Sequence, residues 1–543
     1  MGKPILYSWR IRTAITHILG MVTYTYPYTY YALALILVSI TECTHWSGGG
    51  SIIRVPEKVK SISMAVELYL ENAIIIVSPG VYDEDVVIKY ARNLKIIANG
   101  TILVRSFKIQ DSIGIVIDGF EVAPPPSVFS SGISVIASSY VKIANCKIHV
   151  RGKKGDVTGH GISLIDDVSD VVIETCTVYS TSWGIDLDGK CRRVLIRNCI
   201  ISNCTDYGLR FGVTGGKTVD AIIENVSLIG GDFIITQFVE RIAIRNCLFS
   251  KCRTVIVNGL TDMTVDGCRY VNATLGCVKV RRAIISNCDF NYASLYLHLT
   301  RDVWIENCTF RNNFYYGLHV THEANNIVVY NCTFTGNAIG IYVEEVWKGE
   351  PLKILIHKCT IKENNEGIYL TSIASGEIHV YFNAFIDNKE HDIGLGYVAL
   401  EFKLKLYSGK PFTYTYNGKE FKRYLGNFWS RNKPVIDNDG DGICDNSYHP
   451  LKGFEDRYPL AKPLKYYIVE RLSPIEVKTS TPPGEYKPPT TTITTTASTT
   501  SMLTTTTTAK VGGAFKLEPM HVFVALIAIV VVASITLALK KRK

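Results

Sequence analysis

One short pattern constrains this chain more than any other feature. In its fullest form it reads Asn198-Cys199-Ile200-Ile201, Asn246-Cys247-Leu248-Phe249, Asn287-Cys288-Asp289-Phe290, Asn307-Cys308-Thr309-Phe310 and Asn331-Cys332-Thr333-Phe334. Looser copies begin at Asn145, Thr175, Asn225, Gly267, Lys358 and Phe382, and successive starts lie 20 to 30 residues apart. A heptad period is excluded by that spacing, which fits one coil of a solenoid per repeat. Within a repeat the apolar residues alternate, as in Ile327 and Val329 leading to Cys332 and Phe334, then Ile339, Ile341 and Val343. That is strand periodicity, turned at Gly and Asn. Helical solenoids need apolar residues about 3.6 positions apart over roughly ten or more residues, and no such run occurs. The expectation is an all-β chain wound as a single-stranded parallel β-helix.

Each rung of such a helix pairs its backbone with rungs about 4.8 Å away, so equivalent side chains form columns. The repeats imply a rod of about 50 Å, with further coils expected over residues 74–117. Nine of the 15 cysteines hold the second position of the repeat, facing the core. Stacked parallel positions seldom meet disulfide geometry and an odd number cannot pair completely, so the column reads as small buried hydrophobes. Soft-metal binding by the thiols is the rival reading. Five residues further on come Asn313, Asn337, Asn364 and Asn388, an asparagine ladder in which Cys204 and Cys252 take the earlier places.

The formal net charge is +9, but Lys3, Arg10, Arg12 and residues 540–543 supply most of it and leave only +2 for residues 13–539. A nucleic-acid partner, which needs a basic face, is excluded. Residues 522–539 form an uncharged apolar run followed by Lys-Lys-Arg-Lys, read as a transmembrane helix within 520–539 and a basic cytoplasmic tail, 540–543. An apolar stretch at 31–40 after basic residues reads as a secretory signal within 1–45. Thr, Ser and Pro dominate 487–510, a stalk or plain linker. The chain is thus expected at the cell membrane, single-pass, with its bulk outside. N-x-Ser/Thr sequons begin at Asn99, Asn203, Asn225, Asn272, Asn307 and Asn331, glycosylation acceptors in an exported chain.

Ser63-Met64-Ala65-Val66, then Ile74-Ile75-Ile76-Val77-Ser78-Pro79-Gly80-Val81-Tyr82 and Val86-Val87-Ile88, resemble the first coils of right-handed β-helix proteins of the NosD-like class. That class is named for a periplasmic protein of copper-site maturation and belongs to the pectate-lyase-like superfamily. Gly426-Asn427-Phe428-Trp429-Ser430 and Asp456-Arg457-Tyr458-Pro459-Leu460 resemble its C-terminal cap, so the likeness covers residues 52–462. It implies a right-handed β-helix over 52–425 and a cap over 426–470. It leaves function open, because the superfamily holds lyases, hydrolases, epimerases, adhesins and accessory proteins.

In Asp437-Asn438-Asp439-Gly440-Asp441-Gly442-Ile443-Cys444-Asp445 carboxylates stand at loop positions 1, 3, 5 and 9, with Gly at 6 and a backbone carbonyl at 7, as in a calcium loop. The expected ligands are Asp437, Asp439, Asp441, Ile443 through its carbonyl, and Asp445, in a structural calcium site. Position 12 is Tyr448, so Glu455 or Asp456 would have to complete it. An acidic turn without metal is the alternative.

Reading outward positions coil by coil gives one column of Ser163, Asp186, Arg210, Ile256, Lys279, Tyr296, His319, Tyr342 and Tyr369. Its neighbour holds Asp188, Asn258, Arg281, His298, Thr321, Glu344 and Thr371. Tyr rings stack on pyranose faces, Lys and Arg neutralise a uronate, and His or Tyr can exchange a proton at C5. His319, Tyr342, Lys279 and Arg281 are therefore candidate catalytic residues, and Tyr296, His298, Glu344 and Tyr369 candidate glycan contacts. Against this, Tyr and Thr simply suit exposed strands. Asp186 and Asp188, about 7 Å apart on one strand, offer a glycoside-hydrolase pair; His319, His322 and Glu323 offer a weaker metal cluster. The leading reading is a surface β-helix for glycan binding or structural display, the second a polysaccharide lyase or epimerase on acidic glycans, and the third a copper-handling accessory protein.

Overall fold

The computed structural model describes residues 50–127, 130–151, 159–212, 217–235, 239–344 and 351–487. The expected signal segment, the stalk beyond residue 487, the span at 520–539 and the basic tail lie outside these residues. Among the described residues no helix is long and apolar enough to cross a membrane.

A sixteen-stranded parallel sheet runs from Ser51–Val55 to Phe402–Lys405. Two more strand columns complete each coil, a short one that includes Thr309–Arg311 and a longer one that includes Tyr316–Thr321. Sixteen strands about 4.8 Å apart make a rod of about 70 Å, longer than the repeat count alone suggests. Part of the difference is the expected set of early coils, Glu71–Val77, Arg92–Ala98 and Ile113–Asp118. The short helix Ile62–Leu68 interrupts the first coil. Ser61 caps it by accepting from the Met64 amide, the Glu84 carboxylate accepts from the amides of Ile62 and Ser63, and Ile62, Ala65 and Val66 are buried.

The columns read from the sequence are present. All 14 described cysteines are buried and unpaired. Each ladder thiol reaches backbone carbonyls of its own coil and the one before, as Cys308 does with Glu306 at 3.2 Å and Ile285 at 3.6 Å. Burial raises two thiols outside that column, Cys277 to about 12 and Cys204 to about 11. Beside the ladder thiols Phe249, Tyr270, Phe290, Phe310 and Phe334 stack with centroids 4.6 to 5.0 Å apart. The amides of Asn313, Asn337, Asn364 and Asn388 bond in series at 2.8, 2.9 and 3.1 Å, and the row ends on Asp392.

At the C-terminal end the cysteine column continues as Asn383 and Asn427, which closes on Asp456. Phe428–Trp429 still pairs with the coil below, at Ala384–Ile386. A separate antiparallel sheet of Phe412–Tyr416, Lys419–Arg423 and Tyr467–Val469 has its own core around Tyr414, Tyr416, Leu425 and Tyr467. Coil strands and antiparallel strands thus lie on both sides of residue 425.

Candidate functional site

The outward face of the longer strand column positions the candidate residues. Its register runs Ser163, Asp186, Arg210, Ile234, Ile256, Gly276, Tyr296, His319, Tyr342, Tyr369 and Gly394. Four aromatic or imidazole rungs are therefore bounded by a glycine at each end. The next column out brings together His298, Thr321, Glu344 and Thr371.

Lys279 and Arg281 do not occupy these columns. The places expected for them hold Gly276 and Val278, because the strand is Leu275–Val278 and the chain turns at Lys279, where φ is +52°. Arg281 opens the next strand, Arg281–Ser286, in the other sheet, opposite Arg301. Either phase buries two apolar residues, Leu275 with Cys277 or Val278 with Val280, so alternation alone could not choose. The two cations instead line an open pocket of about 420 Å³ with Gly259, Thr261, Arg301 and Glu323. It adjoins the column, since the Lys279 amide donates to the His298 carbonyl at 2.9 Å.

Glu344 is the hub of the ring face. Its carboxylate accepts from Tyr342 OH at 3.1 Å and Thr321 Oγ1 at 3.3 Å, and lies 3.1 Å from His319 Nε2. Thr321 also contacts His322 Nδ1, so a chain of polar contacts runs from His322 to Glu344. The proton of His319 therefore belongs on Nε2, leaving Nδ1 as an acceptor. Burial pushes the His319 imidazole below its usual value against the pull of Glu344, and His298 falls through burial and then the nearby His322 and Lys279. Burial, followed by Glu344, holds the Tyr342 phenol well above its usual value. A base at neutral pH is thus available at His319 and not at Tyr342, whose proton stays in place.

The rings pack along the rod. Tyr316 stacks on Tyr342 at 4.4 Å and Tyr342 on Tyr369 at 6.0 Å, while His319 meets Tyr296 and Tyr342 edge-on at 5.1 and 5.0 Å. Three residues absent from the sequence reading extend this surface at the adjoining turns: Tyr292, Phe314 and Tyr315, the last two 79% and 75% exposed. Phe314 lies 5.8 Å from Tyr292, and Tyr315 lies beside Tyr316. The signal was available, because three consecutive aromatics after Asn313 cannot all be buried by a strand that alternates.

The Asp186/Asp188 pair is corrected. Both carboxylates face outward, but Asp186 is buried and held by Arg210 at 2.7 and 2.9 Å, and Asp188 lies 3.8 Å from the same guanidinium. Asp186 is therefore not open for acid or base work on a sugar, and the two-carboxylate hydrolase geometry is not formed. Among His319, His322 and Glu323, the first two are joined through Thr321 and Glu344 and do not converge on one point.

In the acidic loop the ligand oxygens of Asp437, Asp439 and Asp441 lie within 4.8 Å of one another, and Asp437 Oδ1 is buried with no hydrogen-bond partner among the described residues. Asp445 turns away to accept from the Asn438 amide and side chain at 2.9 and 2.7 Å. Ile443 forms a β-bridge with Leu460. Asp456 is committed to Asn427, Trp429 and Tyr458, and Glu455 pairs with Arg457, so neither completes the loop.

Residues 213–434 match the family described as periplasmic copper-binding protein (NosD), and residues 96–226 the one described as right handed beta helix region. The chain is a right-handed parallel β-helix protein that is NosD-like over residues 213–434. The catalytic unit of a GH87 alpha-1,3-glucanase from Streptomyces thermodiastaticus strain HF3-3 is similar to this NosD-like helix at 15% identity and a TM-score of 0.38, over 65% of this chain and 70% of that one. A mannuronic acid specific polysaccharide family 6 lyase from human gut microbiota is similar at 10% identity and 0.39, over 63% and 87%. The A-module of an Azotobacter vinelandii mannuronan C-5 epimerase follows at 10% and 0.35, over 61% and 89%. These are likenesses of winding alone. No curated protein matches the chain.

Proposed function

We propose that this protein binds an acidic glycan along the face from Tyr296 to Tyr369. The observation that carries the reading is the juxtaposition of a four-rung Tyr/His column, ended by Gly276 and Gly394, with the cationic pocket of Lys279, Arg281 and Arg301. Aromatic surface supplies sugar stacking and the cations meet carboxylates or sulfates. Exposed Phe314 and Tyr315 are the large apolar groups that a monomeric surface otherwise avoids clustering. The test titrates alginate, polygalacturonate and a neutral glucan into the purified protein by calorimetry. Tyr342→Ala is expected to weaken acidic-polymer binding by about tenfold, in line with loss of one stacking aromatic at a contact centre. Arg281→Ala is expected to lower affinity for the charged polymers only. No heat with any of them overturns the reading.

A lyase or epimerase is the second reading, favoured by one observation, the neutral His319 whose Nε2 is turned to Glu344 while Nδ1 is left to accept a proton. Incubation with the same polyuronates, followed by absorbance for unsaturated ends and by NMR for C5 inversion, separates turnover from binding. Copper handling is the third reading and meets a column of buried thiols; stoichiometric copper surviving dialysis would support it.

The acidic loop is proposed to hold calcium through Asp437, Asp439 and Asp441, with a structural role at the C-terminal cap. The orphaned Asp437 oxygen supports this, and the Arg423 guanidinium, 3.1 Å from Asp441 Oδ2, is the contact with which a cation would have to compete. Adding a chelator is expected to lower the first unfolding midpoint by about 5 °C or more, as removal of a ligand bound only by the native state does. An unchanged midpoint with and without chelator removes the metal. The apolar run at 522–539 supports tethering of the whole to a membrane, with residues 487–510 as spacer.

A further inference from the structure

On the sixteen-stranded sheet, one position in each of twelve successive coils has left-handed backbone. Reading along the rod it is Asn72, Asn93, Gly114, Tyr140, Asp170, Arg193, Asp220, Arg241, Asp262, Arg282, Asp302 and Asn326, all with φ between +50° and +72°. Over seven coils acid and base alternate strictly. Arg193 grips Asp170, Arg241 grips Asp220 and Arg282 grips Asp262, each through two hydrogen bonds of 2.6 to 3.1 Å. Asp170, Asp220 and Asp262 are all buried, although they point away from the core.

What covers them is the chain's own C-terminal segment. After the strand Tyr467–Val469 the backbone runs back along the rod without regular structure. Arg471 pairs with Glu306 at 3.0 Å. The amides of Lys478, Thr481 and Gly484 donate to Asp262, Asp220 and Asp170 at 3.3, 3.1 and 2.8 Å. Tyr486 then settles on Gly114, where a Cβ would lie 2.7 Å from its ring, and against Tyr140 at 5.8 Å.

The spacing has a physical origin. An extended polyproline-type chain advances about 3.1 Å per residue, so three residues cover about 9.3 Å; two rungs of the helix cover about 9.6 Å. Every third amide therefore meets every second coil, and the alternation of Asp with Arg puts an acceptor on just those coils. Pro482 and Pro483, which have no N–H, fall between the donors Thr481 and Gly484.

We propose that residues 471–487 are a docked axial strap, and that the Asp/Arg ladder is a binding surface for an extended, proline-spaced peptide whose occupant is this segment of the same chain. The strap ties coils from Glu306 to Gly114 together and returns the chain to the first coils of the rod, at the end opposite the antiparallel sheet. This inference is independent of the glycan face, which lies on another sheet.

Hydrogen exchange at residue resolution on the full-length protein tests it. The amides of 478, 481 and 484 are expected to exchange about tenfold or more slowly than those of 477, 479, 480 and 485, although no regular secondary structure holds them. Thr481→Pro removes one donor while suiting the extended conformation and leaving the ladder intact. It is expected to speed exchange at 478 and 484 several-fold and to expose the segment to proteolysis. Thr479→Pro, at a position whose amide makes no hydrogen bond to the ladder, is the control and is expected to change neither. Uniformly fast exchange across 471–487, or identical behaviour of the two proline variants, overturns the proposal.

Discussion

Asp456→Ala is expected to lower the stability of the C-terminal coils by about 3–5 kcal/mol, because three buried donors are orphaned at once. Asp456 is fully buried, and its carboxylate accepts from the amides of Asn427 and Tyr458 at 2.7 and 3.1 Å and from the Trp429 indole at 2.8 Å. Asn427 in turn receives from Asn383, so the carboxylate terminates the polar row that continues the thiol column. No side chain of similar size offers four lone-pair directions here, and Asn, keeping its oxygen toward Asn427 and the indole, would turn its NH2 toward the Tyr458 amide. The effect should appear as a lowered midpoint of the transition seen by Trp429 fluorescence; Trp429 stacks on Phe385 at 4.4 Å and reports the last coil. A solenoid need not unfold in one step, so the earlier coils should keep their own midpoint. A shift of less than about 1 kcal/mol would show that solvent or neighbours replace the lost acceptor.

The same residue sets a pH dependence. Burial pushes the Asp456 carboxyl up to about 7, against the hydrogen bonds that draw it down. Its value in the unfolded chain is near about 4, so between about pH 4 and 7 the native protein holds a proton that the unfolded chain has released. The contribution of this group is therefore complete in acid and declines as the pH rises through 7. Wild type is expected to lead Asp456→Ala by more at pH 5 than at pH 8.

The winding was legible because one coil must repeat what its neighbours do. Cys308, Cys332 and Cys359 share an environment fixed by stacking, and so do Asn337 and Asn364, so recurrence in the sequence is recurrence in space. Legibility failed where two phases bury equal apolar surface, as at Leu275 to Val280, which displaced Lys279 and Arg281 from the ring face to its rim. It failed also for Asp186, whose outward direction follows from alternation while its burial depends on Arg210 one coil later and on Trp183. The strap was not readable at all. Its docking rests on the match between the rise of an extended chain and twice the rung spacing, and neither period is visible in the composition of residues 471–487. The short helix at Ile62–Leu68 was likewise hidden among strand-like residues, its start marked only by Ser61.

Arg210→Ala is the second large effect, again about 3–5 kcal/mol, since truncating one member of a buried ion pair strands the other. Arg210 and Asp186 are 7% and 2% exposed, and the guanidinium lies 3.7 Å over the Trp183 ring, which also packs against His160 at 4.2 Å. His160 Nδ1, 3.0 Å from Ser163 Oγ and 3.8 Å from Asp186, is too distant to replace the lost cation. Burial already holds the Asp186 carboxyl above its usual value despite Arg210, and without the guanidinium it rises further. A raised folded-state value means stability is regained as the pH falls, so the variant's deficit should shrink in acid while the wild type changes less. Replacing both partners by apolar groups of similar volume, Asp186→Leu with Arg210→Met, should restore most of the loss, because the one carboxylate left nearby, Asp188, is partly exposed to water. If the double variant is as unstable as Arg210→Ala, the cost lies in the lost stack on Trp183 and not in the stranded carboxylate, and a double-mutant cycle on Trp183 and Arg210 would then carry the coupling.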